Sequence, residues 1–248
     1  MTVDFSAIPQ SSWSGRLSRR MLKLVPRGLV VPVLQGPMRG ARWAVGLGTN
    51  GCWLGTYELD LQSFLASELG AGMVFWDVGA NVGFFALLGA RRVGTSGRVV
   101  AVEPVPANVE GLRRIVRLNH LGELVRLVEA AVGSADTLAR FDPSPGPSEG
   151  KLDEGGDLSV RVLRLDSLLD QGYPAPTVVK MDIEGGEVEA LRGARRLLAD
   201  FRPVLCVATH GHSNDLSCRN LLQATGFTVR NLEGRTGPVG DVLVARPA

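Results

Sequence analysis

From Met73 onward, short apolar runs alternate with segments of helical periodicity, and this alternation constrains the fold more than any other feature of the sequence. The apolar runs have the length of buried strands and lie at 73–77, 98–103, 125–131, 177–182 and 203–209. Helical segments follow at 84–92, from Pro106, at 187–199 and at 215–225, and two short strands, 227–230 and 241–244, come last. Because strands that alternate with helices form βαβ units, the sequence predicts a mostly parallel sheet with helices on both faces.

The composition fits a folded α/β protein. With 248 residues, 45% hydrophobic and 21% charged, the chain can bury a full core, which argues against wholesale disorder. Three cysteines form neither a disulfide framework nor a CxxC zinc site, which favours a reducing, cytoplasmic location. We expect no membrane span, because no apolar run approaches about 20 residues, and no signal peptide, because the N-terminus lacks a compact basic–apolar–cleavage pattern.

The net charge of +2 conceals an asymmetry at the start of the chain. No Asp or Glu occurs between Phe5 and Tyr57, whereas seven basic residues do: Arg16, Arg19, Arg20, Lys23, Arg27, Arg39 and Arg42. We predict that residues 1–56 form a basic extension that packs on the domain or contributes to the substrate site, and that residues 57–248 form the main domain. Peripheral contact with an anionic membrane is a second interpretation. Nucleic acid is not expected, since no helix-turn-helix or zinc-finger signature is present.

One stretch interrupts the alternation of strands and helices. Residues 142–157 are rich in proline, glycine and acids, which is typical of a mobile surface loop. The loop joins two strand-like pieces, 137–141 and 158–163, and this predicts a hairpin beside the site.

The turn after the first strand carries the strongest ligand signal. Asp77-Val-Gly-Ala-Asn-Val-Gly83 leads into a helix at the carboxyl edge of the sheet, where open α/β sheets bind ligands. Gly79 and Gly83 allow a ligand to approach the backbone, and we expect free N–H groups at the helix start. Glu103 ends the second strand 20 residues after Gly83, and its carboxylate can accept hydrogen bonds from two ribose hydroxyls. These residues predict a nucleoside site.

The kind of nucleoside follows from what the turn lacks. Asn81 replaces the middle glycine of the dinucleotide fingerprint GxGxxG, and Asp77 would repel a phosphate. S-adenosylmethionine has an ammonium, a sulfonium and no phosphate, so the residues favour it over NAD. Two alternatives stay open: an NAD-type oxidoreductase, and a non-catalytic nucleoside-binding or membrane-peripheral protein.

Three motifs together resemble the FkbM-type S-adenosylmethionine-dependent methyltransferases. They are Trp76-Asp-Val-Gly-Ala-Asn-Val-Gly83, Ala101-Val-Glu-Pro104 and Lys180-Met-Asp-Ile-Glu-Gly-Gly-Glu187, and Gly55-Thr-Tyr-Glu58 is similar to the family's entry segment. The resemblance covers about residues 54 to 228. It implies a class I methyltransferase fold, Rossmann-like, with strand order 3-2-1-4-5-7-6 and an antiparallel seventh strand. It also implies methylation of an oxygen on a sugar or polyketide-type natural product, with S-adenosylhomocysteine as product; acceptor identity and oligomeric state stay open.

The motifs and the resemblance together predict a set of cofactor-binding residues at the carboxyl edge. The set comprises Glu58, Asp77, Gly79, Ala80, Asn81, Gly83, Glu103, Pro104, Asn108, Ala131 and Asp182.

Lys180, Asp182 and His210 are the predicted catalytic residues. Lys180 and Asp182 alternate at a strand end and therefore point the same way, while His210 follows the fifth strand at the same edge. Imidazole titrates near neutrality, so we predict that His210 is the general base. Thr209 departs from the family, which often has an acid before this histidine. No metal is predicted, and a divalent cation among the nearby acids and histidines is a less favoured alternative.

Overall fold

We analysed a computed structural model of the chain. It describes residues 24–142, 155–232 and 242–248, together with residues 20 and 22 and the short strand at 151–152. Residues 1–19 of the predicted basic extension and most of the predicted loop at 142–157 lie outside the described residues.

Strands and helices alternate along the described chain. The strands are β1 (Val30–Pro32), β2 (Arg42–Ala44), β3 (Val74–Val78), β4 (Arg98–Val102), β5 (Val125–Val128), β6 (Ala131–Val132), β7 (Thr137–Asp142), β8 (Lys151–Leu152), β9 (Leu158–Leu163), β10 (Val178–Met181), β11 (Val204–Ala208), β12 (Phe227–Asn231) and β13 (Val242–Pro247). The helices are α1 (Asn50–Leu54), α2 (Leu59–Glu68), α3 (Phe84–Val93), α4 (Pro106–Leu118), α5 (Leu165–Asp170), α6 (Glu187–Arg192) and α7 (His212–Ala224), with a π-helical turn at Leu197–Phe201. No helix in this part of the chain has the length and apolar character needed to cross a membrane.

The central sheet confirms the predicted topology. Its strand order is β12-β13-β11-β10-β3-β4-β5, and β13 is antiparallel to both of its neighbours while the other pairs are parallel. This is the order 3-2-1-4-5-7-6 of the class I methyltransferase fold. The chain order reverses between β3 and β10, which creates the crevice where such sheets bind ligands.

Alternate strand residues enter two separate cores, one on each face of the sheet. Phe75 packs with α2, α3 and α4 on one face, and Trp76 packs with α5, α6 and α7 on the other. Both side chains are fully buried. Burial on both faces explains why the strand sequences are continuous apolar runs rather than alternating ones.

The described part of the N-terminal segment is integrated into the first of these cores. Met38 and Trp43 are fully buried there, and β1 pairs with β2 in a small antiparallel sheet. The Trp43 indole donates a hydrogen bond to the Leu47 carbonyl, 3.1 Å away. The division into an extension (1–56) and a main domain (57–248) stays a prediction.

The predicted third strand divides into two, because the chain changes sheets after residue 128. Its last residues form β6, which pairs with β9 in a second sheet of order β6-β9-β7-β8. In this sheet β7 and β9 are antiparallel, as the hairpin prediction requires. Phe141 from β7 packs in one cluster with Ala131 of β6 and with Val105, which follows β4, and all three line the crevice. The hairpin therefore lies beside the crevice.

Candidate active site

A cavity of about 1000 Å³ lies at the carboxyl edge of the sheet. Its walls come from the segments after β3, β4, β5, β10 and β11, from residues 46–58, and from Phe141 in the hairpin. The position coincides with the reversal between β3 and β10, and the volume suits a small organic ligand.

Most of the predicted site residues line this cavity. They are Glu58, Gly79, Ala80, Asn81, Glu103, Pro104, Asn108, Ala131, Lys180, Asp182 and His210. Asp77 and Gly83 do not, which corrects the expectation that both contact the cofactor directly. Asp77 is fully buried behind the turn, and Gly83 begins α3 with φ +91°, where a Cβ would come within 2.9 Å of Leu112. Gly83 therefore serves the packing of α3 against α4.

Glu103 is a buried carboxylate with most of its acceptor positions occupied. One oxygen accepts the N–H of Asn81 at 2.9 Å, and the other accepts the N–H of Val105 at 2.9 Å and the side-chain amide of Asn108 at 3.1 Å. Burial raises the pKa of Glu103 above its ordinary value, although these hydrogen bonds oppose the rise. A carboxylate has about four lone-pair positions. The arrangement therefore leaves about one for a ligand hydroxyl, fewer than the two expected from the sequence.

In the turn after β3, the backbone N–H groups of residues 79 to 83 all donate hydrogen bonds within the protein. The Val102 carbonyl accepts the N–H groups of residues 79 and 80, and Glu103 accepts the next one. The amides of residues 82 and 83 donate to oxygens of Asn81 and Ala80. The expectation of free N–H groups is wrong for residues 79 to 83. Residues 79 to 83 therefore offer no free backbone N–H to a phosphate, although phosphate-binding turns depend on such groups.

Gly79 brings the turn into direct contact with the segment after β10. It has φ +75°, and a Cβ at this position would lie 1.8 Å from the Asp182 carbonyl oxygen. Only glycine permits this approach. The two sides of the crevice are therefore packed backbone to backbone at this point.

Lys180 joins the same two segments through its side chain. Its ammonium donates to the Gly79 carbonyl at 2.9 Å and lies 3.4 Å from Asp77 and 3.9 Å from Asp182. Burial lowers the pKa of Lys180, but the carboxylates of Asp77 and Asp182 outweigh burial and raise it. Burial also raises the pKa of the fully enclosed Asp77 carboxyl. These contacts favour a structural role for Lys180 over the predicted catalytic one.

His210 lies among three carboxylates. Its Nδ1 is 3.0 Å from Glu187, and its Nε2 is 3.2 Å from Glu184 and 3.6 Å from Asp182. The hydrogen bond with Glu187 is the main cause that raises the pKa of His210 to about 9, against the opposing effect of burial. The ring is therefore protonated at neutral pH and has no lone pair to accept a proton. This charge state argues against the predicted general-base role.

Glu187 is a residue of the site that is not among the predicted cofactor-binding or catalytic residues. In the sequence, Glu187 is the last residue of the third motif and no role is assigned to it, but in the structure its side chain is fully buried. It accepts hydrogen bonds from the backbone of residues 183 and 185, from the Asn214 amide and from His210. Burial alone would raise the pKa of Glu187, but the hydrogen bonds from His210 and Gly185 lower it. Glu187 thus orders the segment that carries Asp182 and Glu184.

Asp182, Glu184 and His210 also form the one candidate cation-binding group in the described part of the chain. Each offers one donor atom, and these atoms lie within 4.8 Å of one another. A protonated imidazole cannot coordinate a metal, so a cation would have to displace its proton. The metal alternative stays a prediction.

An aromatic wall of the cavity was not predicted. Tyr57 packs edge-to-face on Phe84 at 5.1 Å between ring centroids, and Phe85 lies beneath the Lys180 ammonium at 5.5 Å. Tyr57 immediately precedes Glu58 in the Gly55–Glu58 motif, and that position is the signal that could have identified it.

Comparison with known proteins supports the topology and the motifs. Residues 77–229 match the family model described as the methyltransferase FkbM domain. The chain is 31% identical over 151 residues to the hexuronic acid methyltransferase AglP of Haloferax volcanii, a match that covers 60% of this chain and 61% of that protein. It is 29% identical over 152 residues to the methyltransferase sdnD of Sordaria araneosa, covering 47% of this chain and 58% of the relative. The chain thus spans about three fifths of these curated relatives.

Solved structures show the same fold at low sequence identity. The crystal structure of methyltransferase FkbM from Methylobacillus flagellatus superposes with a TM-score of 0.52 at 19% identity, over 80% of this chain and 56% of that one. A precorrin-6y C5,15-methyltransferase from Geobacter metallireducens gives 0.52 at 18% identity, over 83% and 93%.

Proposed function

Since the chain belongs to the FkbM methyltransferase family, we propose that it is an S-adenosylmethionine-dependent O-methyltransferase that acts on a hydroxyl of a small molecule. The observation that carries this proposal is the pairing of Glu103 with the turn 79–83. Glu103 keeps an acceptor position that faces the cavity, while the turn has no N–H left for a phosphate. This combination suits a nucleoside without a phosphate and counts against the NAD alternative.

The charges of the cavity suit the same cofactor. Glu58, Glu103 and Asp182 are acidic residues of the lining, whereas S-adenosylmethionine carries a sulfonium and an ammonium. Glu103 would hold the ribose, and Ala131 with Pro104 would border the base. Glu58 and Asp182 would face the cationic amino-acid part.

When bound, S-adenosylmethionine supplies an electrophilic methyl group. The residues of the chain orient the acceptor and receive its proton, and orientation is a large contribution to such a reaction. Asp182 is the proposed proton acceptor, because its carboxylate lines the cavity and is partly exposed. The His210 imidazolium, 3.6 Å away, orients the Asp182 carboxylate.

A sugar hydroxyl is the favoured acceptor class, and a polyketide-type natural product is the alternative. The name of the relative from Haloferax volcanii, a hexuronic acid methyltransferase, supports the sugar. A cytoplasmic location stays a prediction.

Titration calorimetry with S-adenosylhomocysteine tests the cofactor proposal, with NAD as the comparison ligand. We expect binding of S-adenosylhomocysteine only, and Glu103→Ala should weaken it by about 10- to 150-fold, equivalent to the 1.5–3 kcal/mol typical of hydrogen bonds to charged groups. Glu129→Gln, which changes an exposed carboxylate of a surface ion pair, serves as the control and should bind normally. Unchanged affinity in a folded Glu103→Ala protein would remove Glu103 from the site.

Transfer of a labelled methyl group to a panel of neutral and acidic sugars tests the reaction itself. A labelled methyl ether on a sugar hydroxyl is the expected product. Methylation of nitrogen or carbon instead would refute O-methyl transfer.

A further inference from the structure

Exposed apolar side chains concentrate in one short stretch of the N-terminal segment. Among the large hydrophobic residues that are exposed in the described chain, four lie between positions 24 and 34. They are Leu24, Leu29, Val30 and Leu34, with 72%, 47%, 37% and 50% exposure. The other three, Leu138, Phe201 and Leu216, lie on separate elements. Single exposed leucines are ordinary, whereas a cluster in eleven residues marks a binding surface.

The exposure belongs to an ordered part of the fold. The backbone N–H of Gly28 donates to Val45 at 2.7 Å, and the N–H of Leu34 donates to Trp53 at 3.0 Å. Between these two bonds, β1 pairs with β2, whose Trp43 is in the core. The buried neighbours hold the backbone in place while these four side chains face outward.

Arginines surround this stretch. Three belong to the segment and two reach it from α3 and α4; they are Arg27, Arg39, Arg42, Arg91 and Arg114. The Arg114 guanidinium donates to the Gly28 carbonyl at 2.8 Å, and that of Arg91 donates to the Arg39 carbonyl at 3.4 Å.

Acidic residues do not balance this charge. The sequence from residue 6 to residue 57 contains no acid, and Glu110 on α4 is paired with Arg117 at 2.9 Å. The segment 24–44 therefore carries arginines and no acid, and it is positive as well as apolar.

We propose that the segment 24–44 docks on an anionic lipid surface. Leucines enter the boundary between headgroups and acyl chains, and arginines pair with the lipid phosphates and carboxylates. The absence of acids favours a lipid surface over a second copy of this chain, because self-association would bring the same positive charges together. The proposal does not depend on the identity of the cofactor or the acceptor.

Docking would also place the cavity beside the membrane. Arg27 lines the cavity, and so do Gly46 and Thr49, which follow directly after β2. An acceptor held in the lipid surface would then have a short path to the site.

Co-sedimentation of the full chain with vesicles tests the proposal. We use phosphatidylcholine vesicles with and without phosphatidylserine, and we expect binding only when phosphatidylserine is present. Raising the salt from about 0.05 to 0.5 M should release the protein, because the Debye length shortens severalfold. Arg39→Gln with Arg42→Gln should weaken binding by about 25-fold, since each arginine near a lipid surface contributes a factor of about five.

A variant with three leucines replaced measures the apolar contribution to vesicle binding separately from the contribution of the arginines. Leu24→Ser, Leu29→Ser and Leu34→Ser together should lower binding at least about tenfold. The matched control is Leu138→Ser with Leu216→Ser, two exposed leucines outside the segment, and it should bind within about twofold of the natural chain. Urea unfolding followed by circular dichroism checks that each variant is folded.

Several results would overturn the proposal. They are no binding to either vesicle, equal binding to both, or an equal loss in the control variant. Concentration-dependent association of the natural chain without vesicles, abolished by the three leucine substitutions, would assign the segment to a self-interface instead.

Discussion

Replacement of Lys180 by methionine should destabilise the fold rather than act on chemistry alone. The Lys180 ammonium lies 3.4 Å from the fully buried carboxylate of Asp77, and it is the one cation paired with that carboxylate among the described residues. At an effective dielectric of about 20, two charges at this separation attract by about 5 kcal/mol. Removing one member of a buried pair typically costs about 3–5 kcal/mol, because the other charge stays buried without a partner. We expect Lys180→Met to lower the free energy of unfolding by about that amount.

Removing both charges should restore most of the lost stability. Lys180→Met with Asp77→Asn removes both charges of this pair and leaves neither one buried alone, so its unfolding free energy should exceed that of Lys180→Met by at least about 2 kcal/mol. Burial raises the pKa of Asp77 in the folded state, and Lys180→Met removes the ammonium that opposes this rise. A carboxyl with a raised folded pKa favours the fold at low pH and loses that effect as pH rises. The cost of Lys180→Met should therefore shrink as the pH falls towards 4.

Urea unfolding, followed by circular dichroism, measures these differences. Arg126→Met is the control, since Arg126 is an exposed cation on the same sheet, and it should change stability by less than about 0.5 kcal/mol. A Lys180→Met protein of normal stability, or a double variant no more stable than the single one, would refute the structural account. Normal stability with lost turnover would return Lys180 to catalysis.

Three further predictions concern the site. The pKa of His210 is raised to about 9 from an ordinary 6.5, so its contribution to stability is complete below about pH 6.5 and disappears as pH rises through 9. Between pH 6 and 10, the free energy of unfolding should therefore fall by up to about 3 kcal/mol more in the natural chain than in His210→Gln. Parallel curves of unfolding free energy against pH would contradict this. Gly79→Ala should lower the free energy of unfolding by more than about 3 kcal/mol and abolish S-adenosylhomocysteine binding, because its Cβ would clash with the Asp182 carbonyl. Gly40→Ala, at φ +82° with open space around it, should lower that free energy by only about 1–2 kcal/mol of backbone strain. Similar losses for the two variants in urea unfolding would show that the clash is not the cause. Treatment with EDTA should leave turnover unchanged, and a loss that Mg²⁺ reverses would assign a cation to Asp182 and its neighbours.

The alternation of strands and helices and the position of the site were predictable because their signals are local, whereas the strand order was implied by the resemblance to the FkbM-type family. The apolar run 73–77 and the glycines that follow it specify a buried strand and a tight turn within a dozen residues. Once the strands alternate with helices, the rules for parallel sheets bring Glu103, Asp182 and His210 to one edge. Segment ends were less accurate: the strand predicted at 125–131 ends at Val128, since the chain leaves for a second sheet there.

The chemistry of the site could not be predicted in the same way. Whether His210 is a base or a cation depends on Glu187, which is 23 positions away in sequence and 3.0 Å away in space. Whether the turn can bind phosphate depends on the Val102 carbonyl and on Glu103, which occupy three of its N–H groups from the next strand. Patterns of residue types do not show which donors are already used.

The sequence by itself determined the fold class, the carboxyl-edge location of the site and most of the residues that line it, because hydrophobic period and turn glycines act over short stretches of chain. Only the tertiary structure decided that Asp77 and Gly83 lie outside the cavity lining, that Lys180 joins two buried segments, and that His210 lies among three carboxylates that raise its pKa. Burial, hydrogen-bond saturation and charge state are properties of a residue's neighbours in space. In this protein those neighbours come from strands and helices that are far apart in the chain.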